Sequence, residues 1–192
     1  MDINQLKEFS RKLWITRKCR IEASERVKKD NDLFQRLLVY YSIILVALSI
    51  WDMQSKLNTS KSSLLILISS VALSLFSMFV VSRNYNERYI NLKNCYIELD
   101  KLYMILKEME NSNNIDSEKL ETMVDCYNNI LKCVENHNEY DFIGSMLSVP
   151  EEQQKISVEK VKKYKIYRCM ITLRNISFFV LPIIIIIVIM LL

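Results

Sequence analysis

His137 is the only histidine of the 192-residue chain, and Glu135, Asn136 and Asp141 stand close to it. Imidazole titrates near neutral pH, so this group of polar side chains could form a proton-linked or ligand-sensing site. A lone histidine beside a turn also acts as a capping or hydrogen-bonding residue. Both interpretations stay open from the residues alone.

A basic cluster near the N-terminus is the second group with possible chemistry. Arg17, Lys18, Arg20 and Arg26 could bind a phosphate-bearing ligand, because guanidinium groups pair with phosphate oxygens in a bidentate manner. A solvated, lipid-facing basic helix explains the same four residues without any ligand.

Composition argues against an enzyme. The chain has one glycine, Gly144, and two prolines, which excludes the glycine-rich loops that bind nucleotides. Its five cysteines are an odd number without a CxxC pair, which indicates reduced thiols rather than disulfides or a zinc site. We therefore predict no catalytic residue, no metal site and no cofactor.

Three apolar segments interrupt the charged sequence, of which 51% is hydrophobic. Between Arg36 and Asp52 lie 15 uncharged residues, and between Lys61 and Arg83 lie 21. With its apolar flanks the first segment reaches spanning length, and the second does so by itself, so residues 37–82 are predicted to form a transmembrane hairpin. The third segment, residues 175–192, contains Pro182 as a predicted kink and crosses fully or in part.

The distribution of Lys and Arg predicts the orientation. The first 36 residues carry ten, the connection from Asp52 to Lys61 carries two, and the segment from Arg83 to Arg174 carries 14. The positive-inside rule then places the N-terminus and both long segments in the cytosol. The net charge of +4 fits this topology and anionic headgroups, so we predict contact with the lipid bilayer and no direct nucleic-acid binding.

Two heptad-like seams predict how the cytosolic segments fold. Residues 1–36 form an amphipathic helix whose seam is Leu6, Phe9, Leu13, Thr16, Arg20, Ala23 and Val27. Residues 83–174 open on a longer seam, which predicts a coiled-coil face: Tyr85, Tyr89, Leu92, Tyr96, Leu99, Tyr103 and Leu106. A second apolar line, Ile90, Ile97 and Met104, is expected to widen the buried face.

No helix breaker stands between Ser63 and Glu110, which predicts one continuous helix of about 70 Å from the membrane into the cytosol. A turn is expected at residues 111–114, followed by an N-cap at Asp116. The next helix would pack antiparallel on the seam through Leu120, Met123, Tyr127, Ile130 and Val134.

The last part of the chain is expected to begin with a loop at residues 136–150. A helix starting near Glu151 would then run through a basic region into the third apolar segment. The whole chain, residues 1–192, is thus predicted to be a single all-α integral membrane domain. It comprises an N-terminal amphipathic helix, a transmembrane helical hairpin, a cytosolic helical hairpin or coiled coil, and a C-terminal hydrophobic helix.

Serines in the apolar segments recur on one helix face. Small hydroxylated residues at such spacing either allow close helix packing or line a water-filled pore. Two or three helices cannot enclose a pore, so a lining would need several copies of the chain around one axis. The candidate pore-facing or packing serines are Ser42, Ser49, Ser63, Ser70, Ser74 and Ser77.

Three short motifs, in this order, resemble the SLATT family of two-transmembrane effectors, and most closely its branch found beside reverse transcriptases. The family-like residues are Trp14, Thr16, Arg17, Arg20, Ala23 and Arg26, then Tyr41 and Ser42, and later Glu135, Asn136, His137 and Asp141. The third hydrophobic segment departs from the plain two-helix plan. The family carries no established catalytic residue.

The resemblance implies a multi-pass effector of a bacterial anti-phage conflict system in the inner membrane. Such an effector is expected to form a homo-oligomer and to permeabilise or depolarise the membrane when a sensor or reverse transcriptase encoded nearby reports infection. The alternative is a non-conducting membrane tether or sensor that recruits a partner through its cytosolic helices, with the tyrosine seam as the contact surface.

Overall fold

The computed structural model describes residues 3–54, 60–112 and 117–191, and every regular element in these ranges is helical. The helices are α1 (Ile3–Gln54), α2 (Ser60–Ser82), α3 (Tyr85–Ser112), α4 (Ser117–Lys132), α5 (Glu139–Leu147), α6 (Pro150–Gln153) and α7 (Val158–Leu191). Among them, α1, α2 and α7 carry apolar stretches that are long enough to cross a membrane. The all-α prediction is confirmed.

The chain forms two compact units. Unit 1 comprises residues 1–28 and 86–165, and unit 2 comprises residues 29–85 and 166–192. Helices α1 and α7 therefore contribute residues to both units. Pro182 lies inside α7.

The hydrophobic core of unit 1 lies among α1, α3 and α4. Its fully buried leucines include Leu6 and Leu13 of α1, Leu99 and Leu106 of α3, and Leu120 of α4. With the other core residues, such as Phe9, Leu102 and Met123, the buried positions recur every three or four residues, so each helix buries one stripe. The first seam and the stripe of α4 are confirmed as core-facing.

Helices α3 and α4 form the predicted antiparallel hairpin. Arg88 lies at the start of α3, and Glu135 lies just beyond the end of α4. Nε and one terminal nitrogen of Arg88 each donate to a carboxylate oxygen of Glu135 at 2.9 Å. Helix α3 extends through Asn111 and Ser112, two residues into the predicted turn. The remainder of that turn and the proposed cap at Asp116 lie outside the described residues.

The buried face of α3 differs from the predicted seam. The leucines of the seam are buried, but the positions between them are filled by Cys95, Leu102 and Met109 instead of tyrosines. The seam tyrosines are half-buried at the edge of the face. The line of Ile90, Ile97 and Met104 was wrongly predicted to be buried, because their side chains are 43%, 38% and 58% exposed.

The predicted continuous helix through residues 63–110 is also wrong. Helix α2 ends at Ser82, and a turn at Arg83 and Asn84 precedes α3. Asn84 adopts a left-handed backbone conformation with φ of 48°, which asparagine tolerates better than most residues and which commonly ends a helix. The residue that ends α2 is therefore an asparagine, not a glycine or a proline.

Residues 136–150 do not form the predicted loop, because α5 occupies most of them. A capping box starts α5: the Asn138 side chain accepts from the Asp141 backbone N–H at 2.7 Å, and Asp141 accepts from the Asn138 N–H at 2.9 Å. Gly144 is buried inside this helix. A Cβ there would lie 2.9 Å from the Tyr164 hydroxyl, so glycine permits the close approach of α5 and α7.

The helix expected from Glu151 begins later. Residues 150–153 form the short α6, turn residues follow, and α7 starts at Val158. The first helical hydrogen bonds of α7 run to the carbonyl of Ser157, from the N–H groups of Lys160 and Val161. The short helix α6 and a turn therefore precede α7, where one continuous helix was expected.

Candidate functional site

A group of polar side chains that includes the buried Arg20 and Asp141 lies in unit 1, and we call it the polar centre. It consists of Arg20 and Arg26 of α1, Asn136 and His137 from the segment before α5, and Asp141 of α5. Five family-like residues from two segments more than 100 positions apart in sequence thus come together.

Helix α1 can approach α5 closely because its buried face carries small residues. Cys19, Ala23 and Ser24 are at most 1% exposed, and the Cys19 thiol lies 3.4 Å from the hydroxyl of Ser145 in α5. The same face carries the much larger Arg20, which is only 1% exposed. A buried guanidinium is costly unless its environment satisfies it.

Arg20 binds the chain just before α5. One terminal nitrogen donates to the backbone carbonyl of Glu135, and the other donates to the side-chain oxygen of Asn136 at 3.1 Å. Its Nε is buried and has no hydrogen-bond partner among the described residues. The acceptors of these two bonds are neutral oxygens, and through them Arg20 holds this segment on α1.

Arg26 and Asp141 form the ion pair of the polar centre. Nε and one terminal nitrogen of Arg26 donate to the two carboxylate oxygens at 2.8 and 3.0 Å. Asp141 is 4% exposed and also completes the capping box of α5. The carboxylate of Asp141 thus caps the start of α5 and also attaches α5 to α1, so the cap and the attachment depend on the same side chain.

His137 completes the polar centre. Its Nδ1 is buried and has no hydrogen-bond partner among the described residues. Burial lowers the pKa of His137 below its ordinary value, and the positive charge of Arg20 lowers it further, whereas Asp141 raises it. The arrangement therefore favours neutral imidazole, since the half-buried ring lies near the positive charge of Arg20.

Acidification is expected to weaken the polar centre. Because the pKa of His137 is lower in the folded protein than in the unfolded chain, its contribution to stability is present above the unfolded value and is lost as the pH falls through the folded value. We expect the protection factors of the α5 amides, which correct for the pH dependence of intrinsic exchange, to fall as the pH decreases below about 6.5. His137→Gln should make this fall smaller, and parallel pH profiles for the two proteins would contradict the assignment.

The remaining family-like residues of α1 do not join the polar centre. Thr16 lies 3.0 Å from the Tyr127 hydroxyl, and the ring of Trp14 lies under Lys18. Arg17 pairs with Asp100 and stacks on Tyr103. Arg17, Arg20 and Arg26 each bond to a different group of the protein. The predicted phosphate-binding cluster is therefore divided.

Tyr41 satisfies a backbone group in unit 2. Pro182 has no N–H, so the carbonyl of Phe178 four residues earlier in α7 lacks its usual helical donor. The Tyr41 hydroxyl donates to this carbonyl at 2.6 Å. The neighbouring Tyr40 donates to the carbonyl of Phe179 at 3.3 Å, so paired tyrosines of α1 support the helix around its proline.

The serines of the apolar helices mostly point away from the rest of the chain. Ser42, Ser70 and Ser74 are exposed, and each donates to a carbonyl of its own helix, at 2.7, 2.7 and 3.2 Å. Ser49 and Ser77 are half-buried, and Ser63 donates to Asp52 at 2.7 Å. Because these protons bond within the protein, Ser70 and Ser74 present oxygen lone pairs outward.

Sequence reasoning missed two features at or beside the site, a capping role and a contact. The capping role of Asp141 could have been found from the Asn138-x-x-Asp141 spacing, which is a capping-box pattern. The contact of Cys19 with Ser145 has no sequence signal. Within the described ranges, no group of three or more His, Cys, Asp or Glu side chains is arranged to hold a metal ion.

Three apolar helices of spanning length in an otherwise charged helical chain define an all-α integral membrane protein. The sequence profile of SMODS and SLOG-associating 2TM effector domain family 5 matches residues 2–192. The chain belongs to this family of two-transmembrane effector domains, and α7 adds a third helix of spanning length. No curated protein and no solved structure gives a significant match.

Proposed function

We propose that this chain is a pore-forming effector of a bacterial anti-phage system. Several copies assemble in the inner membrane and dissipate the membrane potential when an associated sensor or reverse transcriptase signals infection. Membership of a membrane effector family supports the general class.

The exposed serine face of α2 is the observation that carries the pore. Ser70 and Ser74 lie on an apolar helix, yet they contact neither α1 nor α7 through a hydrogen bond among those described. Their outward lone pairs can solvate water or cations once copies of the helix surround a common axis. A single chain cannot enclose such a path, so pore formation requires an oligomer.

The polar centre is the part of the protein that we propose as the trigger. Buried charged networks have few favourable arrangements, so a partner that binds near α5 can shift unit 1 between two packings. Helix α1 contributes to both units, and a change in its packing is thereby communicated along the chain. The N-terminus is cytosolic in this proposal, where the sensor acts.

The pore is tested by membrane depolarisation in bacteria that express the full chain, followed with a voltage-sensitive dye. Ser70→Leu/Ser74→Leu should abolish depolarisation at matched membrane abundance, because leucine removes the polar lining. Ser70→Thr/Ser74→Thr keeps the hydroxyls and should retain activity.

The matched control is Val71→Leu/Met78→Leu, which changes exposed residues of the same helix and should leave activity intact. The serine assignment fails if the leucine variant depolarises cells as well as the wild type does. If the wild type reaches the membrane and leaves the potential intact, a constitutive pore is excluded. The measurement is then repeated in cells that also express the associated sensor or reverse transcriptase.

A non-conducting tether is the second candidate, and the exposed line of Ile90, Ile97 and Met104 favours it. These residues recur every seven positions on one face of α3, as expected for a helix that contacts a partner. A tether should tolerate the serine-to-leucine change. It should lose function when Ile90 and Ile97, which are 43% and 38% exposed, become charged.

A further inference from the structure

Unit 2 contains an apolar cavity of about 370 Å³ among α1, α2 and α7. Leu45 and Leu48 line it from α1, Leu73 and Phe76 from α2, and Leu181 from α7. This volume falls within the range of small-molecule sites. The apolar stretches of the three helices surround it, where a membrane would supply hydrocarbon rather than water.

The chemistry of the wall selects an apolar occupant. Tyr41 is one of two lining residues with a hydroxyl, and its proton is already donated to the Phe178 carbonyl. The other is Ser69, and the remaining wall is hydrocarbon. A polar headgroup or a water cluster would find few partners here.

The length of the cavity matches one lipid leaflet. Its lining on α1 runs from Leu37 to Leu48, which is about 16 Å at 1.5 Å per residue. Half of a bilayer's hydrocarbon core is about 15 Å. A single acyl chain is therefore long enough to fill the cavity from end to end.

Positive charge lies at one end of the cavity. Arg36 directly precedes the lining residue Leu37, and Arg174 lies one helical turn before the lining residue Phe178. Arg174 is anchored to Asp30 at 3.1 Å, while Arg36 is exposed. A phosphate at this end would meet guanidinium groups, as expected at a membrane surface.

We infer that this cavity binds one acyl chain of a phospholipid, with the lipid phosphate beside Arg36. The site lies within a single copy of the chain, and the inference is independent of pore formation. A chain held there would separate α1, α2 and α7 while keeping the gap between them free of water.

The test uses the full chain in liposomes that contain phosphatidylglycerol with a diazirine on one acyl chain. After illumination, mass spectrometry locates the labelled residues. We expect label on Leu45 and Leu48 in the wild type. Ala72→Phe places a ring at the cavity wall and should reduce this label to background, while label on the exposed Leu67 and Leu75 stays unchanged.

Val71→Phe is the matched control, because Val71 is 54% exposed and does not line the cavity. Ser69→Phe fills the cavity from the preceding turn and replaces Ala72→Phe if that variant fails to fold. The inference is overturned if label at Leu45 and Leu48 persists in the filled variants. It is also overturned if Leu45 and Leu48 stay at background in the wild type while the exposed Leu67 and Leu75 are labelled. Neither result depends on whether the protein conducts ions.

Discussion

Arg26→Ala should destabilise unit 1 by about 3–5 kcal/mol, because it leaves a buried carboxylate without its cation. Asp141 is only 4% exposed, so water cannot replace the lost guanidinium fully. The same carboxylate caps α5, and its relaxation toward solvent would open the capping box. We expect α5 to lose hydrogen-exchange protection first, followed by the segment that holds His137.

Hydrogen exchange of the full chain in detergent micelles measures this loss helix by helix. The control is Arg11→Ala, which breaks the pair with Glu152, 3.7 Å away, at a side chain that is 60% exposed. An exposed pair contributes about 0–1 kcal/mol. Equal effects for the two substitutions would contradict a buried ion pair. Arg26→Leu/Asp141→Asn should recover part of the stability, since no unpaired charge remains.

Leu99→Ala should cost about 2–5 kcal/mol, because it opens a cavity where α1, α3 and α4 meet. Leu99 is fully buried and belongs to the core of unit 1. The substitution removes buried hydrocarbon, and the three helices can close the space only in part. We expect the denaturation midpoint of unit 1 to fall with little change in that of unit 2.

Trp14 fluorescence in a Trp51→Phe background reports unit 1, because Trp14 belongs to that unit. The matched control is Ile97→Ala, two residues away on the same helix, where the side chain is 38% exposed. It should change stability by about 0.5 kcal/mol or less. A larger loss for Ile97→Ala than for Leu99→Ala would show that α3 buries the line of Ile90, Ile97 and Met104.

The difference between the predicted and observed faces of α3 has a physical cause. Seven-residue spacing identifies a stripe, but Tyr89, Ile97 and Cys95 lie on neighbouring parts of the helix and all can be buried. Tyrosine keeps a polar hydroxyl at the edge of a core, and here Tyr89 and Tyr103 lie under Lys28 and Arg17. Only the positions of α1 and α4 decide which stripe is covered.

Helix ends were predicted least well, because short-range hydrogen bonds determine them. The turn at Asn84 depends on one left-handed residue, and α5 depends on the pairing of Asn138 with Asp141. An isolated glycine such as Gly144 predicts a loop. In the folded protein it is a helical residue that leaves room for Tyr164, a contact that no local pattern contains.

The amino-acid pattern alone is enough to predict the helical class, the three apolar stretches and the family-like residues. Hydrophobic periodicity and segment length act locally, and a membrane span requires about 20 apolar residues in succession wherever they occur. Tertiary structure alone decided that Arg20 and Arg26 meet Asn136, His137 and Asp141, and that Tyr41 replaces the donor missing at Pro182. These contacts join residues more than 100 positions apart, and their geometry exists only after the helices have packed.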